Sequence, residues 1–432
     1  MKLLMLYRRR WWLFYLPVLL CSALALWWVV TQVYPRPPHS VVISGGSPDH
    51  SYSRLAQRYA EQLERIGIQT EIVYAGTEAE ALAQISSTTS PANVGFFNSV
   101  YAGKDSKVEA LAVIGQEPIW IFSTLNGPSN LANAKGLRIA AGPDGTSTSS
   151  AAKMLLSHAG VRTGDVRFDS LTGLAAADAL VDGRVDMVFQ VAGEDSLDVQ
   201  MLTRMGGIQL LNIDNAGSIA SQDRPLQTVL LPQGTIELRG DVPPRDLTLV
   251  SLQTHLVVKT DVHPALQRAL LAAADIIHEQ PNFLQRHGQF PSYRNTDFRL
   301  TPTAKAYSNG TRPIMETLLP YGKAQWAELL LYGVLPILAL TLLILTWIPK
   351  LFDWRINAGL NQFYGELKFL ENEMTVVATE SPIALKGLLE KLDGIEKKVV
   401  AMELPDEYSD RWYTLREHLA AAQDGMLKLR SR

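Results

Sequence analysis

Cysteine is almost missing from this chain: Cys21 is the only one in 432 residues, and it lies inside an apolar segment. A single cysteine excludes a disulfide framework within the chain and a metal site built on several thiolates. Basic residues are not in excess either, because the formal net charge is −3. Without a basic surface field, nucleic acid is not an expected partner.

Recognisable motifs for catalysis and for metal binding are also missing. The stretch GPDGTSTS lacks the lysine of a phosphate-binding P-loop, no G-x-S-x-G elbow occurs, and the eight histidines show no H-E-x-x-H spacing. We expect His158 to be a partly buried or capping residue near a helix end. His50 lies in a glycine-rich loop, where it could face a ligand or solvent. The sequence therefore predicts no catalytic residues, no metal and no cofactor.

Charge is missing over two long runs, one near each end of the chain. Residues 11–33 and 329–348 contain no charged side chain, and each run has the roughly 20 residues that a membrane helix needs. Lys2 and the arginines at 8–10 precede the first run, which predicts a cytoplasmic N-terminus. A cleaved signal peptide is the alternative for the first run, and a buried core helix is the alternative for the second.

Between these runs, strand-like and helix-like patterns alternate, which is typical of an α/β protein with parallel sheets. Residues 51–66, for example, have the spacing of an amphipathic helix with Leu55, Tyr59, Leu63 and Ile66 on one face. Two long β-rich runs, 111–124 and 247–260, are suited to crossing between two lobes. This pattern predicts a bilobal fold like that of periplasmic binding proteins, with two parallel or mixed sheets and a hinge. A single large α/β sheet is the alternative.

The predicted organisation follows from these runs and patterns. From the N-terminus it consists of a basic cytoplasmic segment (1–10), a transmembrane helix (11–33), a proline-rich linker (34–40), the first part of lobe 1 (41–122), lobe 2 (123–250), a return to lobe 1 (251–326), a second transmembrane helix (327–348) and a cytoplasmic helical tail (349–432). The tail is rich in Glu, Lys and Leu at helical spacing, which favours a helical hairpin or a coiled coil.

Three strand-to-helix turns share a small, polar composition: SGGSPDHSYS, AGTEAEA and AGPDGTSTSS. In a parallel sheet such turns converge at the carboxyl edge, where ligands bind. The third turn carries five consecutive hydroxyl residues, 146–150, at the start of a helix. One of them, Thr146 or Ser147, could serve only as an N-cap. Alternatively, the cluster could hold a carboxylate or another small anion with the help of the helix N-terminus.

The order and spacing of several segments give the chain a resemblance to a known family. They include ISGGSPDHSYSRLAQRYAEQL, NVGFFNSVYAG, EPIWIF, AKGLRIAAGPDGTSTSSAAKMLL, AADALVDGRVDMVFQVAG and FDWRINAGLNQFYGELKFLE. Over about residues 41–371 the chain resembles the TAXI-type solute receptors of TRAP transporters, in particular the membrane-anchored subgroup with a transmembrane helix at each end. The resemblance implies a small acidic solute, such as an amino acid or a dicarboxylate, bound in an interlobe cleft.

The resemblance also implies a set of ligand-binding positions. Carried over by position, they are Ser44, Gly45, Gly46, Tyr52, Gly76, Thr77, Asn98, Ser99, Gly145, Thr146, Ser147, Thr148, Gln190 and Gly193. The chain departs from the family pattern at Glu80, where an asparagine is usual, at Ser147, where a glycine is usual, and by the inserted residues 48–50. The identity of the ligand is therefore not carried over.

Two functions remain open from the sequence. The first is capture of a small solute for import, in which the expected partners are the solute, a TRAP-type permease and the lipid bilayer of a bacterial inner membrane, with the binding domain in the periplasm. The second is a membrane-bound ligand sensor or scaffold that acts through the tail at 349–432.

Overall fold

The structure is a computed structural model that describes residues 2–33, 37–47, 51–193, 196–282, 284–377, 382–402, 404 and 408–430. The chain divides into two compact units. The core unit comprises residues 37–326, and the helical unit comprises residues 1–36 and 327–432. The inserted residues 48–50, including His50, and the linker residues 34–36 lie outside the described residues.

Ten strands and fourteen α-helices make up the described parts of the chain. The strands are β1 (Ser40–Ser44), β2 (Gln69–Val73), β3 (Val94–Asn98), β4 (Val108–Thr124), β5 (Arg138–Ala140), β6 (Arg167–Asp169), β7 (Met187–Val191), β8 (Ile208–Leu210), β9 (Leu226–Leu231) and β10 (Leu247–Lys259). The helices are α1 (Lys2–Trp28), α2 (Ser51–Arg65), α3 (Glu78–Ser86), α4 (Ser147–His158), α5 (Gly173–Val181), α6 (Leu197–Arg204), α7 (Ala216–Gln222), α8 (Pro264–His278), α9 (Pro302–Ser308), α10 (Ile314–Leu318), α11 (Tyr321–Glu328), α12 (Leu335–Val377), α13 (Pro382–Val400) and α14 (Ser409–Arg430).

The sheet of the core unit contains two groups of strands that are parallel within each group, and we call these groups the first and the second block. In the first block, β1 pairs in parallel with β2 and β3. In the second block, β5 pairs in parallel with β6 and β7. The long strands β4 and β10 pair antiparallel with each other and join the blocks, because β10 also pairs with β3 and β4 also pairs with β7. The predicted mixed α/β fold is confirmed, with the two groups of strands joined into one ten-stranded sheet. The two crossing strands lie where the β-rich runs predicted them.

Each block has its own hydrophobic core. The cluster of the first block includes Ile43, Leu63 and Leu270, from β1, α2 and α8, and each of these is fully buried. A cluster of the second block includes Ile139 and Leu155, from β5 and α4. Helices therefore cover the strands of both blocks, as expected for parallel strands that are apolar along most of their length.

Helix α2 differs in one detail from the sequence prediction. It ends at Arg65, and Ile66 is 44% exposed in the turn that follows, whereas Tyr59 and Leu63 are buried as predicted. The turn is made at Gly67, whose φ is +85°. A left-handed residue ends the helix there, so Ile66 no longer lies on its apolar face.

Two stretches that lie wholly or mostly in the helical unit are long and apolar enough, by length and composition, to cross a membrane: Tyr15–Val33 and Tyr321–Met374. Within this unit the hydroxyl oxygens of Ser22 and Thr341 lie 2.7 Å apart, which joins α1 to α12. Beyond the apolar run, α12 packs with α13 and α14 around a separate hydrophobic cluster that includes Leu392. The tail thus forms a three-helix cluster in which a hairpin of α13 and α14 packs on the extension of α12.

Candidate functional site

The carboxyl ends of the parallel strands carry the loops from which a binding site can be built. Gly45 and Gly46 follow β1, Gly76 and Thr77 follow β2, and the turn before α4 follows β5. Every loop of this kind opens at the same edge of its block, because the strands of a block run in the same direction. The two blocks place these edges around a common cavity of about 470 Å³.

Both blocks contribute to the lining of this cavity, which we call the interblock cavity. Six of the predicted positions line it: Gly46, Tyr52, Gly76, Thr146, Thr148 and Gln190. Seven further residues line it without having been predicted: Ser47, Glu78, Pro143, Thr172, Gly173, Leu174 and Asp198. The volume suits a small organic solute rather than a single ion or a macromolecule.

The hydroxyl cluster at the start of α4 is used for several structural tasks. Thr146 is the N-cap, because its side chain accepts a hydrogen bond from the amide of Ser149 at 3.2 Å. Ser150 donates to the carbonyl oxygen of Thr146, and Ser149 donates to Asp144. Capping therefore accounts for Thr146, and local hydrogen bonds account for Ser149 and Ser150, although Thr146 also faces the interblock cavity.

The remaining two hydroxyls connect α4 to other elements. The Thr148 hydroxyl accepts a hydrogen bond from the backbone amide of Val191 at 3.1 Å, which ties α4 to the end of β7. Ser147 is the first residue of α4, and its hydroxyl donates to a carboxylate oxygen of Glu78 at 3.1 Å. Glu78 is the first residue of α3, so this hydrogen bond joins the two blocks.

A second set of contacts between the blocks converges on the carbonyl oxygen of Gly145, and we call it the Gly145 contact. This oxygen accepts hydrogen bonds from the Tyr101 hydroxyl at 2.7 Å and from the Ala79 amide at 3.1 Å. Burial raises the pKa of the Tyr101 phenol, and the negative charge of Glu78 raises it further, so Tyr101 remains a donor at physiological pH. The blocks are thus held against each other beside the cavity.

The charged side chains among the described lining residues of the interblock cavity are two carboxylates. Glu78 is 7% exposed, and Asp198 is half-buried on α6. No lysine, arginine or histidine among the described residues lines the cavity. Buried charge interacts more strongly than exposed charge because the surrounding dielectric constant is lower. The described part of the lining therefore contributes two carboxylates, one from each block.

Tyr52 separates this cavity from a neighbouring one of about 300 Å³. Its hydroxyl donates to the buried carboxylate of Glu117 at 2.8 Å. Burial, and then the charge of Glu117, raise the pKa of the Tyr52 phenol well above its usual value. Arg54, Arg58 and the predicted residue Gly193 line the neighbouring cavity. Basic side chains are thus found on the far side of Tyr52.

The other predicted site residues line neither cavity; they are Ser44, Gly45, Thr77, Asn98, Ser99, Gly145 and Ser147. Thr77 is the N-cap of α3, and Asn98 accepts a hydrogen bond from the amide of Val100. Ser99 exchanges hydrogen bonds with the backbone of Gln253 on β10. These residues shape the loops around the cavity without lining it.

Some of the additional lining residues carried a signal in the sequence. Thr172 and Gly173 form another small, polar strand-to-helix turn, between β6 and α5, of the same kind as the three that were recognised. Glu78 directly follows the predicted residue Thr77. Asp198 had no local signal, because its place beside the cavity depends on how α6 packs against α5.

Glu80 stands where an asparagine is usual in the TAXI-type receptors that the sequence resembles, and it has a capping role here. Its carboxylate accepts a hydrogen bond from the amide of Gly76 at 2.9 Å, and its own amide donates to the Thr77 hydroxyl at 3.2 Å. This reciprocal arrangement stabilises the first turn of α3. Glu80 therefore belongs to the first turn of α3 and is not among the residues that line the cavity.

Among the described residues, no group of three or more His, Cys, Asp or Glu side chains is arranged to hold a metal ion. His158, at the end of α4, has its Nε2 atom 2.5 Å from a carboxylate oxygen of Asp223. That contact gives His158 a structural partner at a helix end, as its position in the sequence predicted.

Comparisons with known proteins give a family match and several similar structures. The model of the NMT1-like family matches residues 83–289, just under half of the chain. No curated protein matches the sequence.

Three solved structures are similar to this chain. A protein from Bordetella bronchiseptica RB50 has 20% sequence identity and a TM-score of 0.39, and the match covers 55% of this chain and 70% of that chain. The alkanesulfonate-binding protein SsuA from Xanthomonas axonopodis pv. citri bound to MOPS has 15% identity and a TM-score of 0.38, with 56% of this chain and 75% of that chain covered, and the substrate binding protein of an amino acid ABC transporter has 14% identity and a TM-score of 0.35, with 55% of this chain and 92% of that chain covered. The names of the last two proteins state a binding function. Every TM-score lies below 0.5, so we draw nothing about the ligand of this chain from them.

Proposed function

We propose that the chain is a membrane-anchored, extracytoplasmic solute-binding protein that captures a small solute in the interblock cavity for uptake. One observation carries the proposal: loops from both parallel blocks line a single cavity, and the blocks touch beside it through the Gly145 contact. A ligand that contacts both blocks favours the arrangement in which they are close, and it shifts an open–closed equilibrium by its difference in affinity for the two states.

The finer assignments rest on the sequence. The resemblance supports a TAXI-type receptor with a TRAP-type permease as its partner, lobes at 41–122 with 251–326 and at 123–250, and ligand contacts from the predicted residues that line the cavity. The charge-free runs at 11–33 and 329–348 support two membrane spans in a bacterial inner membrane. With both termini cytoplasmic, the core unit lies in the periplasm. A permanent tether of this kind raises the effective concentration of a receptor near its permease.

Ligand-dependent stabilisation of the full-length protein in lipid nanodiscs tests this function. A solute that binds only the native state raises the free energy of unfolding by RT ln(1 + [L]/Kd), about 2.7 kcal/mol at a hundredfold excess over Kd. We expect one chemical class in a panel of amino acids, dicarboxylates, sulfonates, sugars and amines to raise the unfolding temperature.

Two glutamine variants locate the binding site. Gln190→Ala removes a side chain that lines the cavity, and we expect it to weaken binding about tenfold. Gln227→Ala, on β9, changes a glutamine that lines neither cavity and serves as the matched control. A folded protein that no solute in the panel stabilises contradicts the proposed function. Equal affinities for the two variants place the binding site elsewhere.

A ligand sensor is a second candidate because α12 continues from an apolar run into a three-helix cluster with its own hydrophobic core. A receptor that only delivers solute has no need of such a tail. Hydrogen exchange at residues 382–430 discriminates between the two functions. Exchange rates there that change when solute is added favour sensing, and unchanged rates favour transport alone.

A further inference from the structure

We propose that two copies of this chain associate through a groove between α12 and α13 and form a symmetric dimer. We call this surface the α12–α13 groove. It belongs to the helical unit, so the dimer does not depend on the solute that the core unit binds. The shape and the charges of the groove fit a second copy of the same chain.

The two helices run antiparallel, and the groove lies along one side of them. Lys391 Nζ of α13 lies 3.6 Å from a carboxylate oxygen of Glu373 on α12. Met402, just beyond α13, lies beside Gly359 of α12, since its Cε atom would be 3.6 Å from a Cβ placed there. Later residues of α13 are thus next to earlier residues of α12. The groove has a volume of about 540 Å³, and its described lining comes from these two helices alone.

The groove is open over the backbone of both helices. Gly365 of α12 and Gly394 of α13 line it, and a Cβ atom placed on either glycine would meet no atom within 4 Å. Beside them Phe369, which also lines the groove, is 62% exposed. An exposed aromatic ring next to helix backbone without side chains gives another helix an apolar contact and room for a close approach.

The two walls of the groove carry opposite charges at the same spacing. Glu366 and Glu373 are seven residues apart on α12, and on α13 the same spacing separates Lys391 from Lys398. Seven residues are two helical turns, so each pair lies on one face of its helix. At one end the charges meet within the chain, in the ion pair of Lys391 with Glu373. At the other end Glu366 and Lys398 line the groove without forming an ion pair with each other, and Glu366 accepts a hydrogen bond from Gln362 at 3.5 Å.

A two-fold axis parallel to the helices places α12 of each copy against α13 of the other. In such an isologous contact every pair of residues occurs twice. Glu366 of each copy then faces Lys398 of the partner subunit, and Phe369 of each copy packs into the open space over the glycines. Opposite charges that meet in this way specify the pairing and its register.

The charges of the groove favour a second copy over an unrelated helix. An acidic helix would meet Glu366 and a basic helix would meet Lys398, so the matching surface needs both signs in the same arrangement. The groove itself is such a surface. Where the apolar run at 329–348 spans the membrane as proposed, an axis parallel to α12 keeps both copies in one bilayer, and this confinement raises their effective concentration.

Cross-linking in native membranes tests the contact directly. In a Cys21→Ser background, full-length chains with Glu366→Cys are co-expressed with differently tagged chains with Lys398→Cys, and a short bis-maleimide is added. The second symmetry-related pair keeps its charges in this heterodimer, so we expect a cross-linked product that carries both tags. Glu417→Cys in place of Lys398→Cys is the control, because Glu417 is exposed on α14 and does not line the groove; it should give no such product.

Charge reversal tests the proposed pair. Dimerisation is measured by energy transfer between differently labelled full-length chains that are diluted in lipid vesicles. Glu366→Lys and Lys398→Glu each place like charges at both symmetry-related contacts, and each is expected to weaken dimerisation at least tenfold. The double variant restores opposite charges and should dimerise within threefold of the unchanged protein. Lys397→Glu, at a lysine that is 80% exposed and outside the groove, is the control and should change dimerisation less than twofold.

A glycine variant separates dimerisation from folding. Gly394→Leu fills the groove with a side chain, and leucine is a better helix former than glycine. Because no atom of the chain lies within 4 Å of the added Cβ, we expect the tail to fold and dimerisation to weaken at least tenfold. Gly425→Leu makes the same change within α14, at a glycine that also has no neighbouring atom within 4 Å, and should leave dimerisation unchanged.

Three results would overturn the proposal. The first is the absence of a cross-linked product with both tags in membranes together with a monomeric protein in vesicles. The second is a dimer that Glu366→Lys, Lys398→Glu and Gly394→Leu leave unchanged, because its interface then lies elsewhere. The third is a bis-maleimide product that joins the Lys398→Cys chain to a different protein and not to a second copy, which would identify another occupant of the groove.

Discussion

At the scale of single residues, Gly145 shows how one position determines the contact between the two blocks. Its φ of +87° lies in the left-handed region, and a Cβ there would lie 3.3 Å from the Cβ of Ala79 and 3.4 Å from the Thr77 hydroxyl. The backbone conformation therefore favours glycine, and a Cβ atom would also displace Ala79 by a few tenths of an ångström. The glycine lets the carbonyl oxygen of residue 145 come close enough to accept from Tyr101 and Ala79.

Gly145→Ala is accordingly expected to affect both stability and binding. An alanine in the left-handed region costs about 1–2 kcal/mol of the free energy of unfolding. The crowding at Ala79 should also push the blocks apart and weaken solute binding several-fold. Thermal unfolding measures the loss of stability of the Gly145→Ala variant, and titration with the solute measures its loss of affinity.

Gly160→Ala is the matched control, because Gly160 has a φ of +75° and no atom within 4 Å of its would-be Cβ. This variant should lose a similar stability, since the backbone strain is the same in kind. Its affinity for the solute should not change. Equal affinities for the two alanine variants would show that the Gly145 contact has no part in binding.

At the scale of elements, the tail combines a long helix with a hairpin. α12 runs for 43 residues, and its C-terminal part packs with α13 and α14. Leu392 and Leu415 are nearly inaccessible within this cluster, and Trp412 donates from its ring nitrogen to the carbonyl oxygen of Val399 at 2.8 Å. The cluster therefore has a packed interior and at least one specific polar contact between α13 and α14.

Leu415→Ala should destabilise this three-helix cluster by about 2–4 kcal/mol, because it removes buried apolar volume and leaves a cavity. Faster amide hydrogen exchange in α13 and α14, with unchanged exchange in the core unit, would show the effect. Leu427→Ala, at a position that is 46% exposed in the same helix, is the control and should cost well under 1 kcal/mol. Similar exchange in the two variants would contradict the packed cluster.

At the scale of the whole molecule, the chain divides into a core unit with the cavity and a helical unit with both apolar runs. The proposed topology places the core unit outside the inner membrane and residues 349–432 in the cytoplasm. The single cysteine makes this placement measurable, because replacing Cys21 leaves a chain with no thiol.

In a Cys21→Ser background, a thiol introduced by Asn309→Cys should react with a membrane-impermeant maleimide in intact spheroplasts. A thiol introduced by Lys397→Cys should react only after the cells are lysed. Both positions are exposed, so accessibility within the protein does not limit the reaction. Labelling of the Lys397→Cys variant in intact spheroplasts would contradict the proposed topology.

Features with a local signal could be read from the sequence. The alternation of strands and helices predicted the α/β blocks, and the continuous β-rich runs predicted the crossing strands β4 and β10. Five of the predicted residues that line the interblock cavity lie in the three polar strand-to-helix turns: Gly46, Tyr52, Gly76, Thr146 and Thr148. The class of fold could be predicted because hydrophobic periodicity and glycine-rich turns depend on neighbouring residues.

The sequence by itself therefore determined the class of fold, the two apolar runs and the edge of the sheet where a site could form. Only the tertiary structure decided what the hydroxyl cluster binds: Glu78 reaches Ser147 across 69 positions of the chain, and α6 brings Asp198 beside Gly173. No periodicity or turn pattern encodes such pairs, because each depends on how separate elements pack. The hydrogen bond between Glu78 and Ser147 and the place of Asp198 are consequently properties of the folded chain.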